Sequence, residues 1–186
     1  WAEMPSTYVM NDSAVEQFTN EWLRIVKQLH NHPSIITWVP FNESWGIKGV
    51  DAYERPQQFT EGIYHLTKAI DPMRPIITND GWEHTISDIL TLHDYEELGH
   101  VFQKRYASQL ADDGYALGNK EMIVQNQIQF NDGWFAFANG YVYRGQPIII
   151  SEFGGIAFNT AKGDQWGYGN QVDSDAAFIE RFKHIH

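Results

Sequence analysis

The sequence predicts an α/β chain that forms part of a (β/α)8 barrel. Three observations carry that prediction. Short apolar, β-branched runs alternate with helix-periodic stretches, the pattern of parallel strands joined by right-handed crossovers. No Gly-x-Gly-x-x-Gly follows any run, so a doubly wound dinucleotide-binding sheet would lack its phosphate cradle. Polar residues crowd the C-terminal ends of the runs, as Asn42-Glu43, Asn79-Asp80, His93-Asp94-Tyr95 and Glu152, where barrel enzymes keep their sites.

The elements follow in order. Trp1-Ala2-Glu3-Met4-Pro5 reads as the tail of a strand and the loop after it, with Glu3 a loop acid or a group supporting a site. Asn11 to Asn31 is the clearest helix. Asp12 or Ser13 can cap it, with Glu16 at a capping-box spacing from Ser13. Val15, Phe18, Trp22, Ile25, Val26 and Leu29 recur at three and four residues and form its core face. Pro33 ends it, because proline cannot continue the hydrogen-bond ladder. Ile35 to Phe41 is nearly continuous in apolar residues, as expected of a strand buried on both faces. A loop over 47–56 leads to a second helix, Gln57 to Ile70, with Phe59, Ile63, Leu66 and Ile70 inward and Asp71-Pro72 closing it.

Pro75 to Thr78 and Ile89 to Leu92 are short strands, and Glu97 to Leu110 is a third helix. Residues 111–146 lack a clean element; turn residues at Ala116-Leu117-Gly118-Asn119 and Asn131-Asp132-Gly133 punctuate them. A segment this long without its own structure is usually functional or inserted. Pro147 to Ser151 is the last strand, ending at Glu152. A Gly-, Trp- and Tyr-rich loop covers 154–170, and a final helix starts near Ser174 with Phe178, Ile179, Phe182 and Ile185 on one face.

Composition sets limits on function. The 186 residues suffice for one domain with a core, and 42% hydrophobic with 20% charged residues is a globular composition. A net charge of -11 argues against nucleic acid and against anionic membranes as partners. It is compatible with a neutral ligand. The absence of cysteine excludes disulfides and thiol catalysis. His30 with His32 and His184 with His186 are two apart, so neither pair shares a helix face, and no metal site is assigned. The compartment is left open, with the cytoplasm favoured.

The two strand-end glutamates carry the functional reading. A retaining glycosidase needs two carboxyl groups about 5–5.5 Å apart, one to protonate the leaving oxygen and one to attack the anomeric carbon. Glu43 and Glu152 each follow an apolar strand, so parallel strands would bring them to one rim of the sheet. Two unrelated surface acids are the plainer alternative.

At these residues the chain resembles glycoside hydrolase family 2, which includes β-galactosidases, β-glucuronidases and β-mannosidases. Asn42-Glu43, after a strand opening His32-Pro33-Ser34-Ile35-Ile36, looks like the family's acid/base motif. Ser151-Glu152-Phe153-Gly154-Gly155, after Pro147, looks like its nucleophile motif. Asp88-Ile89 to Tyr95 resembles the family's sixth strand, and Trp1 to Pro5 the end of its third. The resemblance implies that Glu43 is the general acid/base and Glu152 the nucleophile. It implies that Asn42 binds the sugar 2-hydroxyl and that Tyr95 hydrogen-bonds Glu152. Trp45, Asp80, Trp82 and His93 are candidate substrate-binding residues, and Trp166 and Tyr168 candidate pocket walls.

It further implies that residues 1–186 are a partial catalytic barrel, strands three or four to seven, with sandwich domains, early strands and strand eight outside the segment. Alone, such a segment is expected to be poorly stable or to associate, and to have little activity. A cooperative, monomeric melt with turnover would contradict that. Expected partners are a carbohydrate substrate, the rest of the full-length chain and, in some assemblies, a second copy. No cofactor is required; structural magnesium or sodium is known among relatives, with no ligand assigned here. Few basic residues (Lys48, Arg55) stand in the strand-end loops, which favours a neutral sugar over a glucuronide. The alternatives are a clan-related cellulase- or mannanase-like barrel and a non-catalytic carbohydrate-binding domain.

Overall fold

The helix over residues 12–29 shows how the chain builds its first core. Asn11 caps it: the side-chain oxygen accepts from the Ala14 N–H, satisfying one of the free donors of the first turn. Asp12 and Ser13, the expected caps, already lie inside the helix, whose apolar stripe buries Phe18, Trp22 and Val26. The structure, a computed structural model, describes residues 1–106, 120–131, 133–159 and 166–186. The elements are β1 (Ala2–Glu3), α1 (Asp12–Leu29), β2 (Trp38–Val39), β3 (Phe41–Asn42), α2 (Glu54–Ile70), β4 (Asn79–Asp80), β5 (Leu90–Asp94), α3 (Gly99–Tyr106), α4 (Lys120–Val124), β6 (Ile148–Phe153), β7 (Ile156–Phe158), β8 (Tyr168–Val172) and α5 (Asp175–Ile185).

The strands pair in parallel: β1 with β2, β3 with β4, β5 with β6 and β7 with β8. β2 and β3 are one extended run interrupted at Pro40, which has no N–H to give a ladder. A further parallel bridge joins Trp38 to Ile76. The His93 N–H donates to the Gly81 carbonyl, linking β5 to the exit of β4. No closed barrel forms among the described residues; the strands make short parallel pairs.

Several boundaries differ from the sequence reading. The strand expected from Ile35 begins at Trp38. Ile36 is exposed, and Ile35 instead gives its carbonyl to the Arg74 guanidinium. α2 begins at Glu54 and takes Pro56 into its first turn, where a missing N–H breaks no bond. Its inner face is Pro56, Thr60, Ile63 and Thr67, while Leu66 is exposed. The threonines can be buried because each hydroxyl is bonded: Thr60 to the Gln57 carbonyl, Thr67 to the Ile63 carbonyl. The segment 154–170, read as loop, contains β7 and the start of β8. α3 ends its described part at Tyr106; the expected continuation to Leu110 and the turn at 116–119 lie outside the described residues, as does Asp132. α5 starts where expected, with Ser174 accepting from the Ala177 N–H as its cap.

Two apolar clusters result. Under α1 and α2 lie Phe18, Trp22, Val26, Trp38, Phe41, Ile63 and Ile76. Under α3 and α4 lie Leu90, Leu92, Tyr106, Ile123, Phe130 and Phe137. The indole N–H of the fully buried Trp22 donates to Thr67 Oγ1 at 2.7 Å. Thr67→Val keeps a similar shape but strands that N–H without a partner. It is expected to cost about 1–3 kcal/mol, read as a lower urea midpoint. Among the described residues no helix is long and apolar enough to cross a membrane.

Candidate active site

Four strand ends converge on His93. This fully buried side chain sits on β5, with Nδ1 2.7 Å from Glu43 Oε1. Its Nε2 lies 3.1 Å from Asp80 Oδ2 and 3.6 Å from Glu152 Oε1, neither aligned well enough to count as a hydrogen bond. Burial by itself would lower the imidazole pKa. The close carboxylates of Asp80 and Glu43 and the nearby Glu152 charge outweigh it and push the value up to about 9. His93 is therefore a cation at neutral pH, set among three carboxylates. Burial pushes Asp80 up, but its contacts with His93 and the hydroxyls of Thr91 and Ser151 bring it below the usual carboxylate range.

Tyr95, two residues on, reaches both glutamates. Its hydroxyl is 2.6 Å from Glu152 Oε2 and 3.1 Å from Glu43 Oε1. A phenol has one proton to give, and the shorter contact takes it. Burial, then the bond to Glu152 and the charge of Glu43, hold the phenol far above its ordinary pKa. Tyr168 on β8 stacks on the Tyr95 ring with centroids 3.6 Å apart, fixing its plane. A side chain on Gly155 would collide with Tyr168, since a Cβ there would lie 2.7 Å from the ring.

Local backbone features set this geometry. Between β5 and β6 the register runs Leu92 opposite Ile150, then His93 opposite Glu152. Ser151 is thus the extra residue of a bulge, a device that re-aims side chains next to sites. Its hydroxyl donates to Asp80 Oδ1 at 2.8 Å, and Glu152 is turned to the rim. At β3, Glu43 and Ser44 both adopt left-handed φ, 51° and 60°, a conformation that costs a non-glycine residue about 1–2 kcal/mol. The surroundings hold it there. The Ser44 N–H donates to Asn79 Oδ1, its hydroxyl to Glu83 Oε2, and the Glu43 N–H to the Asp80 carbonyl. Gly81 leaves β4 over the His93 ring, where a Cβ would come within 2.7 Å of Nδ1.

An oxygen of Glu43, a nitrogen of His93 and an oxygen of Glu152 all lie within 4.8 Å of one another. That spacing would also suit a divalent cation, which would have to displace the His93 proton to bind. Glu43 Oε1 accepts from His93 and lies 3.1 Å from the Tyr95 hydroxyl, while Oε2 accepts no hydrogen bond among the described residues. Asn42 Oδ1 and Trp82 Nε1 are also buried without partners there. Such groups are costly unless something arrives to bond them.

The structure thus gathers Glu43, Asp80, His93, Tyr95 and Glu152, with Asn42 on the same strand and Trp82 edge-on to His93 at 5.6 Å. Trp45, half exposed, lines a cleft beside Glu43. Trp166 is not brought in: it is 81% exposed and touches Tyr168 edge-on. Glu3 lies near the site, its pKa raised by burial and then by Asp80. Asn79 is legible in the sequence as a strand-end polar residue, whereas Ser44, Glu83 and Trp134 were missed. The sequence marks the turn at Asn131-Asp132-Gly133 without a role: Asn131 bonds the Tyr95 N–H and the His93 carbonyl.

Comparison with protein families matches residues 4–183 to the description "Glycosyl hydrolases family 2, TIM barrel domain". The chain belongs to glycosyl hydrolase family 2. A curated relative in this family comparison is a dog (Canis lupus familiaris) β-glucuronidase, 29% identical over 136 residues. The match covers 70% of this chain and 17% of the relative, so the chain spans about a sixth of that protein's length. Membership sets aside the clan-related cellulase or mannanase alternative. His93 and Tyr95 tie together the two strand ends that carry Glu43 and Glu152.

The charge on His93 predicts a pH dependence. A pKa raised from 6.5 to about 9 on folding contributes stability that is fully present below pH 6.5 and lost as pH rises through about 9. His84 works the other way: burial lowers its pKa to about 4, so its contribution is lost as pH falls from 6.5 towards 4. Stability is expected to fall between pH 7 and 9, and His93→Gln should flatten that limb alone. Urea midpoints across pH 4–9 would check both limbs.

Proposed function

We propose that this domain carries the catalytic centre of a retaining β-glycosidase acting on a terminal, neutral sugar, with a β-galactoside the first candidate. The observation that carries the reading is the separation of Glu43 and Glu152, within 4.8 Å. That closeness favours the retaining spacing of about 5–5.5 Å over the roughly 6.5–9.5 Å of an inverting pair. Family membership supports glycoside hydrolysis independently.

In this reading Glu152 attacks the anomeric carbon. The bond to the glycosidic oxygen breaks, and Glu43 gives that oxygen a proton. Water then attacks the glycosyl-enzyme bond, Glu43 takes the water's proton, and Glu152 leaves as carboxylate. Tyr95 holds Glu152 Oε2, leaving Oε1 to react. The His93 cation offsets the crowding of Asp80, Glu43 and Glu152. Asn42 Oδ1, buried and unpaired, is suited to the sugar 2-hydroxyl, a contact that strengthens in the transition state.

The similarity to a β-glucuronidase raises an acidic sugar as the second reading. The charge at the rim favours a neutral one. His93 is already held by three carboxylates, Arg55 is paired with Asp12, and Lys48 shares its cleft with Glu43, Asp51 and Glu83. The test is to label the full-length protein with 2-fluoro galactoside, glucuronide and mannoside. A covalent adduct on Glu152 from the galactoside is expected; an adduct on another residue overturns the mechanism, and labelling by the glucuronide alone overturns the sugar.

A further inference from the structure

The turn that carries Glu43 is held from a second strand exit. Glu43 and Ser44 leave β3 with φ of 51° and 60°, and Glu83, past the end of β4, has φ of 48°. All three lie in the left-handed region that L side chains rarely adopt. One hydrogen bond joins the two strained turns: the Ser44 hydroxyl donates to Glu83 Oε2 at 2.5 Å. Both residues are buried, Ser44 at 8% exposure and Glu83 at 6%.

The neighbours fix the direction of that bond. Asn79 Oδ1 accepts the Ser44 N–H, and Asn79 Nδ2 donates to Ser44 Oγ at 3.0 Å and to the Trp82 carbonyl at 2.7 Å. Ser44 Oγ already accepts from Asn79, so its single proton goes to Glu83. Behind Glu83 the backbone is anchored. Its N–H donates to the Phe135 carbonyl, and the His84 N–H donates to the Ala136 carbonyl. A carboxyl is costly to bury, and burial raises the Glu83 pKa. That costly group stands on a fixed backbone and faces the hydroxyl next to Glu43. His93 and Tyr95 approach the Glu43 carboxylate itself, so Glu83 acts on the backbone behind it. Glu152 is held by Tyr95 and the β6 bulge, a separate set of contacts.

We infer that Glu83 is a positioning residue for proton transfer at Glu43, acting through the Ser44 hydroxyl. The inference rests on the proposed acid/base role of Glu43. With the Glu83 acceptor gone, the Ser44 hydroxyl no longer holds the left-handed turn, and Glu43 moves off the line to the glycosidic oxygen. Cleavage then slows where that oxygen must take the Glu43 proton as its bond to the anomeric carbon breaks. It slows little where the oxygen leaves as a stable anion, because Glu152 still attacks.

The test uses the full-length protein with Glu83→Ala, Glu83→Gln and Ser44→Ala, and Glu43→Gly as the control. For each, kcat/KM is measured on the methyl and dinitrophenyl β-glycosides of the sugar that labels Glu152. Methoxide needs a proton to leave; dinitrophenolate does not. The ratio of the two values cancels the fraction of protein folded, so a partly misfolded variant still reports. Glu83→Ala and Ser44→Ala are expected to lose roughly 10- to 100-fold more on the methyl glycoside, the cost of a catalytic group about 1 Å out of place. Glu83→Gln keeps an acceptor oxygen and should recover most of the difference. Equal losses on both substrates, or no recovery in Glu83→Gln, overturn the inference. So does selectivity in Glu83→Ala without it in Ser44→Ala, which would have Glu83 act directly on the leaving group. If Glu43→Gly itself shows no selectivity, the acid/base reading of Glu43 fails, a result distinct from equal losses in the Glu83 variants alone.

Discussion

Glu152→Gly is expected to lower turnover by roughly 10⁴-fold or more, the upper end of what one positioned catalytic group contributes. In the proposed mechanism the missing carboxylate is the group that bonds the anomeric carbon from the face opposite the leaving group. Added azide should restore part of the rate by entering the space left behind. Because azide then attacks directly, the product should be the α-glycosyl azide, inverted from the substrate. Folding should survive: Glu152 is 45% exposed and stands near Asp80 and Glu43 through His93, so its removal relieves like-charge crowding. Rate measurements with and without azide, with the product anomer read by NMR, check the prediction. Residual activity within tenfold of wild type would remove Glu152 from the nucleophile role.

Replacing Glu43 should have a different signature. Glu43→Gly is expected to slow hydrolysis of a poor leaving group by about 10²–10⁴-fold, and to slow the first step far less for a leaving group that needs no proton. Azide should again rescue, but by attacking the glycosyl-enzyme on Glu152, so the product is the β-glycosyl azide. Opposite anomers from the two variants would separate the two roles in one experiment; the same anomer from both would refute the assignment. Glycine is the better replacement here, because φ at Glu43 is 51°. Glycine relieves a left-handed conformation that costs an L residue about 1–2 kcal/mol, whereas alanine keeps that cost. Glu43→Gly should therefore unfold at a higher urea concentration than Glu43→Ala.

These predictions rest on residues that were legible in the sequence to different degrees. Glu43 and Glu152 were legible because each ends an apolar β-branched run, and parallel strands put such ends on one rim. The core stripe of α1 was legible because Phe18, Trp22 and Val26 keep the helical period. The buried face of α2 was misread at Leu66 because Thr60 and Thr67 are polar in the sequence and become compatible with the core only through hydroxyl bonds that the fold supplies. β7 and β8 were hidden because Gly-rich segments carry no apolar alternation. Trp166 shared its aromatic character with Trp82, and nothing local told the exposed ring from the buried one.

By itself, the sequence determined the long helices, the parallel run of strands up to Glu152 and the placing of the two glutamates at strand ends, because hydrophobic period and turn residues are local properties. The tertiary structure decided how those glutamates are tuned. The bulge at Ser151 turns Glu152 to face His93, and the left-handed turn at Glu43 is held by Ser44, Asn79 and Glu83. The His93 charge exists because three carboxylates from separate strands surround one buried ring. Each of these depends on register and on contacts between residues remote in sequence, and a single missed residue in register would send the side chains to the opposite face.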